Sequence, residues 1–203
     1  MGVDIVLILA AYLLGALPFG FLLTRLRTGK DIRNSGSGNI GATNVLRTQG
    51  AIWGLLTLVL DFGKGFAAVL FCAHFGSAAW MGAAGGAAAV VGHCFPVYIG
   101  FRGGKGIATG LGAFVLIAPG PTLLALAVFI VSVVLFRLVS LGSIFASLSF
   151  GAALLVRHLA RGAYDPWTVA LGILIAILLV GRHHRNIARI LKGTEEPLWG
   201  KKP

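Results

Sequence analysis

The stretch IVLILAAYLLGALPFGFLLT, from Ile5 to Thr24, contains no charged residue. As an α-helix that rises about 1.5 Å per residue, it is about 30 Å long, which matches the hydrocarbon thickness of a bilayer. It is too long for the apolar region of a cleavable signal peptide, and basic residues follow it, at Arg25 and Arg27, instead of preceding it. We therefore predict a retained membrane-spanning helix that enters the cytoplasm at Arg25.

The composition of the whole chain indicates the same class. Of its 203 residues, 57% are hydrophobic and only 11% are charged, whereas soluble domains contain about 25% charged residues. No long polar segment is present that would form a separate soluble domain. We therefore predict an all-α polytopic membrane protein in which residues 1–203 form a single integral membrane domain.

The number of spans depends on the tripeptide Pro119-Gly120-Pro121. If it separates two helices, seven apolar segments result: 5–24, 51–75, 78–99, 106–118, 122–136, 138–156 and 167–181. With the N-terminus outside, fourteen Lys and Arg residues then face the cytoplasm, two face the outside and Lys64 lies within a span. A single kinked helix would leave nine inside and seven outside. The positive-inside bias therefore favours about seven transmembrane helices with a cytoplasmic C-terminus.

The net charge of +11 would suggest nucleic acid as the partner of a soluble protein. Here cytoplasmic loops and an anionic lipid or substrate explain it more simply, and we expect no nucleic acid partner. Within the second apolar segment, Asp61 and Lys64 are three residues apart and share one helical face. An isolated charge at a helix centre costs roughly 2.5–3.5 kcal/mol on insertion scales, so we predict that they pair. Whether the pair is only structural or also lines a polar active site stays open.

Polar and glycine residues concentrate in three clusters. These are SGSGNIGATNVLR (Ser35 to Arg47), GHCFPVYIGFRGGKG (Gly92 to Gly106) and GRHHRNIARILKGTEE (Gly181 to Glu196). With seven spans all three lie on the cytoplasmic face. A transporter would place such groups near the midplane of the membrane, on broken helices within repeats.

The first cluster contains Gly36, Gly38 and Gly41 in a G-x-G-x-x-G pattern. No strand precedes it, so it is not a dinucleotide site. Its glycines still permit tight turns in which backbone N–H groups bind an anion, and Arg47 offers a fork suited to phosphate. The neutral side chains that add donors are Ser37, Asn39, Thr43 and Asn44. The alternative is a flexible polar loop.

The second cluster ends in Gly103-Gly104-Lys105-Gly106, which differs from a nucleotide-binding P-loop. Only three residues separate Gly100 from Gly104, and a glycine replaces the Ser or Thr that would hold magnesium. We therefore expect no nucleotide. A lysine flanked by glycines, with Arg102 nearby, suits a simple phosphate ester.

The third cluster places His183 and Asn186 three residues apart, on one face if the last helix continues. His183 is a candidate to orient a substrate, donate to phosphate or act as a base; the alternative is a basic tail at the membrane surface. Glu195 is a candidate salt-bridge or capping partner. For His93, in the second cluster near Pro96, a structural and a catalytic role both stay open.

Several motifs are absent from the sequence. It has no H-x-x-x-x-D, C-x-x-C or H-E-x-x-H motif and no acidic cluster. We therefore expect no cofactor and no metal ion. Cys72 and Cys94 lie in apolar stretches, and we predict that both are buried apolar residues without a disulfide.

Taken together and in this order, the three clusters resemble one family, the bacterial acyl-phosphate-dependent glycerol-3-phosphate acyltransferases. The resemblance covers essentially the whole chain. It implies transfer of a fatty acyl group from acyl phosphate to the 1-hydroxyl of glycerol 3-phosphate, giving lysophosphatidate and phosphate for phospholipid biosynthesis. It also implies a multi-pass protein of the bacterial inner membrane, in contact with membrane lipid, with its active site on the cytoplasmic side.

The resemblance assigns roles residue by residue. The catalytic residues it implies are Ser37, Arg47, Lys105, His183 and Asn186. The substrate-binding residues it and the clusters imply are Asn39, Thr43, Asn44, Arg102, Gly103, Gly104, Gly106 and Ser143. Glu195 matches a structural glutamate of the family.

The chemistry is consistent with this interpretation. Acyl phosphate is an activated anhydride, so orientation and neutralisation of two phosphates can supply most of the catalysis. Without a His–Asp motif, we predict that a substrate phosphate takes the hydroxyl proton, although a basic role for His183 stays open. The main alternative is a small transporter or channel for an organic anion; a weaker one is a lipid-binding membrane scaffold.

Overall fold

The computed structural model describes residues 2–199, whose regular secondary structure is helical without a strand. The chain forms two compact units, one up to Ile117 and one from Ala118. Lys201 and Lys202, which the charge count includes, lie outside the described residues. The prediction of a single integral domain stays a prediction.

The first unit contains six α-helices. They are α1 (Gly2–Ala16), α2 (Phe19–Thr28), α3 (Ala42–Gln49), α4 (Ala51–Phe75), α5 (Met81–Cys94) and α6 (Ile107–Ile117). Short 3-10 turns occur at Ile32–Asn34 and Val97–Ile99. Pro18 separates α1 from α2 because it has no N–H to continue the helix.

Small residues allow the helices of this unit to pack closely. A Cβ added to Gly15 would overlap the backbone of Ala89, which brings α1 against α5. A Cβ added to Gly112 would overlap the backbone of Phe62, which brings α6 against α4. A glycine at each contact therefore permits the close backbone approach.

The second unit contains four α-helices. They are α7 (Pro119–Phe136), α8 (Val139–Arg161), α9 (Pro166–Gly181) and α10 (His184–Leu191). The Pro119-Gly120-Pro121 tripeptide forms the first turn of α7, because proline is well tolerated where helical N–H groups have no partner. Two helices do occur on either side of Ala118, as predicted.

Helices occur in all seven segments predicted to span the membrane. Five helical segments of the described chain are long and apolar enough to cross a bilayer: Gly2–Thr28, α4, Met81–Ile99, α7 and α8. The pair α9 and α10 adds a sixth if counted as one span with a bend of 49°, and α6 is a shorter apolar helix of 11 residues.

Candidate active site

The first polar cluster begins as a loop that packs on a group of buried apolar side chains. Ile32 and Ile40 are 0% and 1% exposed, and they pack with Phe21 and Val45. The cluster continues into α3, a helix that hydrophobicity did not predict. The loop is thus anchored at both ends, in contrast to the flexible loop considered as an alternative.

Asn44 holds the backbone of this loop together. Its Nδ2 donates to the carbonyls of Ser35 (3.0 Å) and Asn39 (2.8 Å), and its Oδ1 accepts from the Ser37 N–H (2.9 Å). The side chain is buried. Both amide hydrogens are therefore engaged within the loop, so Asn44 positions its neighbours; the predicted substrate contact of Asn44 stays a prediction.

The other predicted residues of this cluster differ in backbone conformation, hydrogen bonding and exposure. Asn39 Oδ1 accepts from the Gly41 N–H (2.8 Å), which closes a local turn. Gly36 and Gly38 have φ values of 56° and 72°, which favour glycine. Ser37 and Arg47 have exposed side chains and Thr43 is half-buried.

The second cluster folds back onto the end of α5. The Gly104 N–H donates to the carbonyl of His93 (3.0 Å), and the Phe101 N–H donates to the carbonyl of Pro96 (2.9 Å). A Cβ on Gly103 would strike the His93 carbonyl, and a Cβ on Gly104 would fall on Nε2 of the His93 ring. The close contact with His93 therefore requires glycine at both positions. The sequence shows the glycines but not the histidine against which they pack.

The cationic residues predicted for phosphate lie at the end of this segment. Lys105 is half-buried and Arg102 is exposed. Gly106, with a φ of 82°, turns the chain into α6, and its carbonyl accepts from the Gly110 N–H (2.7 Å). Lys105 thus lies on a short, sharply bent segment that leads directly into a helix N-terminus.

The first and second clusters lie together in the first unit. Arg33 donates to the carbonyl of Ile99 (3.1 Å), and Ile99 packs against the apolar anchor of the first loop. Arg33 also pairs with Asp31 at 2.7 Å. Hydrogen bonds from this guanidinium hold the pKa of the Asp31 carboxyl below its usual value. The two loops predicted to bind phosphate are therefore neighbours.

A buried ionic group lies beneath the second loop. Asp61 and Lys64 pair at 2.8 Å between Oδ1 and Nζ, as predicted, and Nδ1 of His93 is 3.4 Å from the same carboxylate oxygen. Lys64 Nζ also donates to the carbonyl of Leu17 (2.8 Å), at the break between α1 and α2. All three charged or titratable side chains are at most 4% exposed.

In the second unit, His183 occupies the junction between two helices. The condition under which His183 and Asn186 would share a face, a last helix that continues through both, is not met, because α9 ends at Gly181 and α10 begins at His184. Nδ1 of His183 donates to the carbonyl of Leu179 (2.7 Å), since a carbonyl can only accept. His183 and Asn186 are both buried, at 1% and 4% exposure.

Glu195 accepts hydrogen bonds from three side chains of the second unit. Its carboxylate accepts from Ser140 Oγ, Asn186 Nδ2 and Arg189 Nε, each at 2.6 Å. The predicted salt bridge of Glu195 is therefore confirmed. Burial acts to raise the pKa of Glu195, but the three hydrogen bonds outweigh it, so the pKa lies below its usual value.

Ser140 was not among the predicted residues, although it lies one helical turn before Ser143. Ser143 is itself buried, and its Oγ donates to the carbonyl of Val139 (2.8 Å) in the same helix. The predicted contact of Ser143 with substrate stays a prediction.

Cys72 and Cys94 are both buried, as expected, and neither forms a disulfide within the described residues. Within residues 2–199, no group of three or more His, Cys, Asp or Glu side chains is arranged to hold a metal ion.

Comparison with known proteins identifies the family. A family model for glycerol-3-phosphate acyltransferase matches residues 5–193. A curated glycerol-3-phosphate acyltransferase of Syntrophotalea carbinolica is 47% identical over 192 residues, covering 94% of this chain and 95% of the relative. Another, of Trichlorobacter lovleyi, is 47% identical over 188 residues, covering 93% and 94%.

Solved structures give the same result. The chain is similar to the crystal structure of PlsY (YgiH), an integral membrane glycerol 3-phosphate acyltransferase, in its glycerol 3-phosphate form. The TM-score is 0.87 at 40% identity, over 97% of this chain and 96% of that chain. The lysophosphatidic acid form of PlsY gives a TM-score of 0.82 at 38% identity, over 96% and 94%. This chain therefore belongs to the glycerol-3-phosphate acyltransferase family and is a multi-pass membrane enzyme, not an anion transporter or channel.

Proposed function

We propose that this enzyme transfers a fatty acyl group from acyl phosphate to the 1-hydroxyl of glycerol 3-phosphate. The observation that carries the proposal is the glycine-built loop at Gly103–Gly106, which contains Lys105 and is packed against His93. Backbone N–H groups and a lysine on such a bend suit a phosphate monoester. The similar PlsY structures were solved in a glycerol 3-phosphate form and a lysophosphatidic acid form. These two forms support glycerol 3-phosphate as the substrate and lysophosphatidate as the product.

The proposed reaction needs few chemical groups because its donor is already activated. The 1-hydroxyl oxygen attacks the acyl carbonyl carbon, the bond from that carbon to the phosphate oxygen breaks, and inorganic phosphate leaves with lysophosphatidate as the other product. Arg47 and Lys105 neutralise phosphate charge, and Ser37 donates a hydrogen bond. Charge neutralisation and orientation of both substrates then lower the barrier.

We propose that the leaving phosphate accepts the proton of the hydroxyl. The supporting observation is that Nδ1 of His183 donates to the neutral backbone carbonyl of Leu179, whereas the Nδ1–H of a His–carboxylate base donates to a carboxylate. His183 then orients substrate together with Asn186, and Glu195 holds Asn186 in place.

The role of His183 is tested by the variant His183→Gln, which keeps a hydrogen-bonding group but cannot titrate. Turnover should remain measurable, with the pH dependence of the wild type. A general base contributes about 10²–10⁴-fold and gives the rate profile its own pKa. If the variant binds glycerol 3-phosphate normally but does not turn over, His183 is the base.

We also propose seven crossings, an outside N-terminus and a cytoplasmic C-terminus in the bacterial inner membrane. The uneven distribution of Lys and Arg supports this orientation, and it puts all three polar clusters on the cytoplasmic side. The short α6 would then cross with the help of adjoining loop residues. Reporter fusions after Gly104 and at the C-terminus should both read cytoplasmic; a periplasmic signal from the C-terminus would contradict the seven-span topology.

Purified protein supplied with acyl phosphate and glycerol 3-phosphate tests the function directly. We expect stoichiometric release of phosphate and formation of lysophosphatidate. Lys105→Ala should lower kcat/KM about 10- to 150-fold, because one charged hydrogen bond to phosphate contributes about 1.5–3 kcal/mol. Lys30→Ala, which changes an exposed lysine after α2, is the matched control and should retain wild-type kinetics. Equal activity of both variants would remove Lys105 from the site.

A further inference from the structure

The buried group of Asp61, Lys64 and His93 connects parts of the chain that carry substrate loops. Lys64 Nζ reaches the Leu17 carbonyl where α1 breaks, and α2 leads from there into the first polar loop. The same ammonium pairs with Asp61, whose carboxylate faces Nδ1 of His93. Ionisable residues within spans are costly and mark functional positions.

The other side of the His93 ring lies directly behind the phosphate-binding loop. Nε2 occupies the space that a side chain on Gly104 would need, and the His93 carbonyl accepts from the Gly104 N–H at 3.0 Å. The imidazole therefore lies against Gly104 with no room for even a methyl group between them. The Asp61 carboxylate lies 3.4 Å from Nδ1 of the same ring, close enough for electrostatic attraction to oppose its rotation.

We propose that Asp61 and His93 are positioning residues for glycerol 3-phosphate. Asp61, held by Lys64, sets the imidazole of His93, and the imidazole sets the backbone of Gly103 and Gly104 where the phosphate binds. This inference rests on the proposed function of the loop. It assigns the buried ionic group to the binding of one substrate, beyond a general contribution to stability.

The test compares Asp61→Asn and His93→Asn with Thr57→Val. Asp61→Asn removes the charge that holds Lys64 and the ring, and His93→Asn keeps a donor toward Asp61 but removes the part of the ring behind Gly104. Thr57 is the matched control: it is equally buried, it lies one turn before Asp61 in α4, and its hydroxyl donates within that helix. Kinetics are measured for each substrate separately in protein shown to be monodisperse.

Both test variants should raise the KM for glycerol 3-phosphate between about ten- and a hundredfold, since small displacements of a binding group have effects of this size. The KM for acyl phosphate should change less than about twofold, and the double variant should be no worse than the poorer single variant, as for residues acting through one another. Thr57→Val should match the wild type.

The proposal is overturned if the KM for glycerol 3-phosphate is unchanged, if both KM values rise together, or if the two effects multiply. An inactive wild-type protein would instead contradict the proposed function itself. If Asp61→Asn does not fold, His93→Asn decides the question, because it leaves the Asp61–Lys64 ion pair in place. His93→Asn should raise the KM for glycerol 3-phosphate selectively, and Gly63→Ala, at a position with open space, should not; equal KM values would overturn the proposal.

Discussion

Asp61 in the first unit and Glu195 in the second are both buried carboxylates, at 3% and 7% side-chain exposure. Asp61 lies inside a 25-residue apolar helix and is balanced by a lysine three residues later and a histidine on α5. Glu195 lies after the last helix and is balanced by a hydroxyl, an amide and a guanidinium.

The difference shows that a buried carboxylate inside a span requires other partners than one outside the spans. Within a span an unpaired charge is expensive, so Asp61 depends on full charge compensation nearby. Outside the spans, Glu195 can use several weaker donors and in return ties the tail to α8 and α10. The first arrangement should fail as a unit when one partner is lost, and the second should weaken stepwise.

The largest expected effect is therefore on the buried pair. Lys64→Met removes the ammonium partner of the Asp61 carboxylate and should lower the free energy of unfolding by about 3–5 kcal/mol. Asp61→Leu combined with Lys64→Met should recover at least half of this loss, because an apolar replacement removes both charges. Unfolding in mixed detergent micelles measures both variants. A double variant less stable than Lys64→Met would contradict compensation as the role of the pair.

The Glu195 group should show a pH dependence. Because the folded pKa lies below the unfolded value of about 4.3, the stability contributed by Glu195 is present above that pH and is lost as the pH falls toward the folded pKa. Protection of residues 184–198 against hydrogen exchange should therefore decrease below about pH 4.3. Glu195→Gln should lower protection at neutral pH by about 1–3 kcal/mol and abolish this dependence. Glu196→Gln, at an exposed position, should preserve it; if it does not, Glu195 is not the titrating group.

The smallest effects distinguish two serines of α8. Ser140→Ala removes one donor of Glu195 and should cost about 1 kcal/mol. Ser143→Ala removes a hydroxyl that donates only to its own helix carbonyl among the hydrogen bonds described, so stability should change by less than about 0.5 kcal/mol. If Ser143 binds substrate, its variant raises a KM while Ser140→Ala changes stability. Unchanged kinetics for Ser143→Ala would remove it from the binding site.

The comparison also explains what the sequence could predict. The Asp61–Lys64 pair follows from helical spacing alone, because both residues belong to one helix. The Ser140–Glu195 contact joins residues 55 positions apart, and no local periodicity carries that information. The contact between His93 and Gly104 is intermediate: the sequence shows the glycines around Lys105, but not the side chain that they contact.

Helix positions were predictable where hydrophobicity is high and less so elsewhere. The seven apolar segments are helical, whereas α3 and α10 are short polar helices that an apolar pattern cannot reveal. The break before α10 places His183 in a junction, and the prolines that separated two predicted spans form the first turn of the second one, α7. Both differences arise at helix ends, because the positions where a helix begins and ends depend on capping and not on the composition of the segment.

The proposed transfer from acyl phosphate to glycerol 3-phosphate is tested most directly by donor competition. Purified protein receives glycerol 3-phosphate with equal amounts of ¹³C-labelled acyl phosphate and unlabelled acyl-CoA, and the lysophosphatidate formed is analysed by mass spectrometry. We expect the labelled acyl chain in the product, with one phosphate released for each molecule formed. Product that carries the unlabelled chain, or no product from either donor, would contradict the proposed reaction.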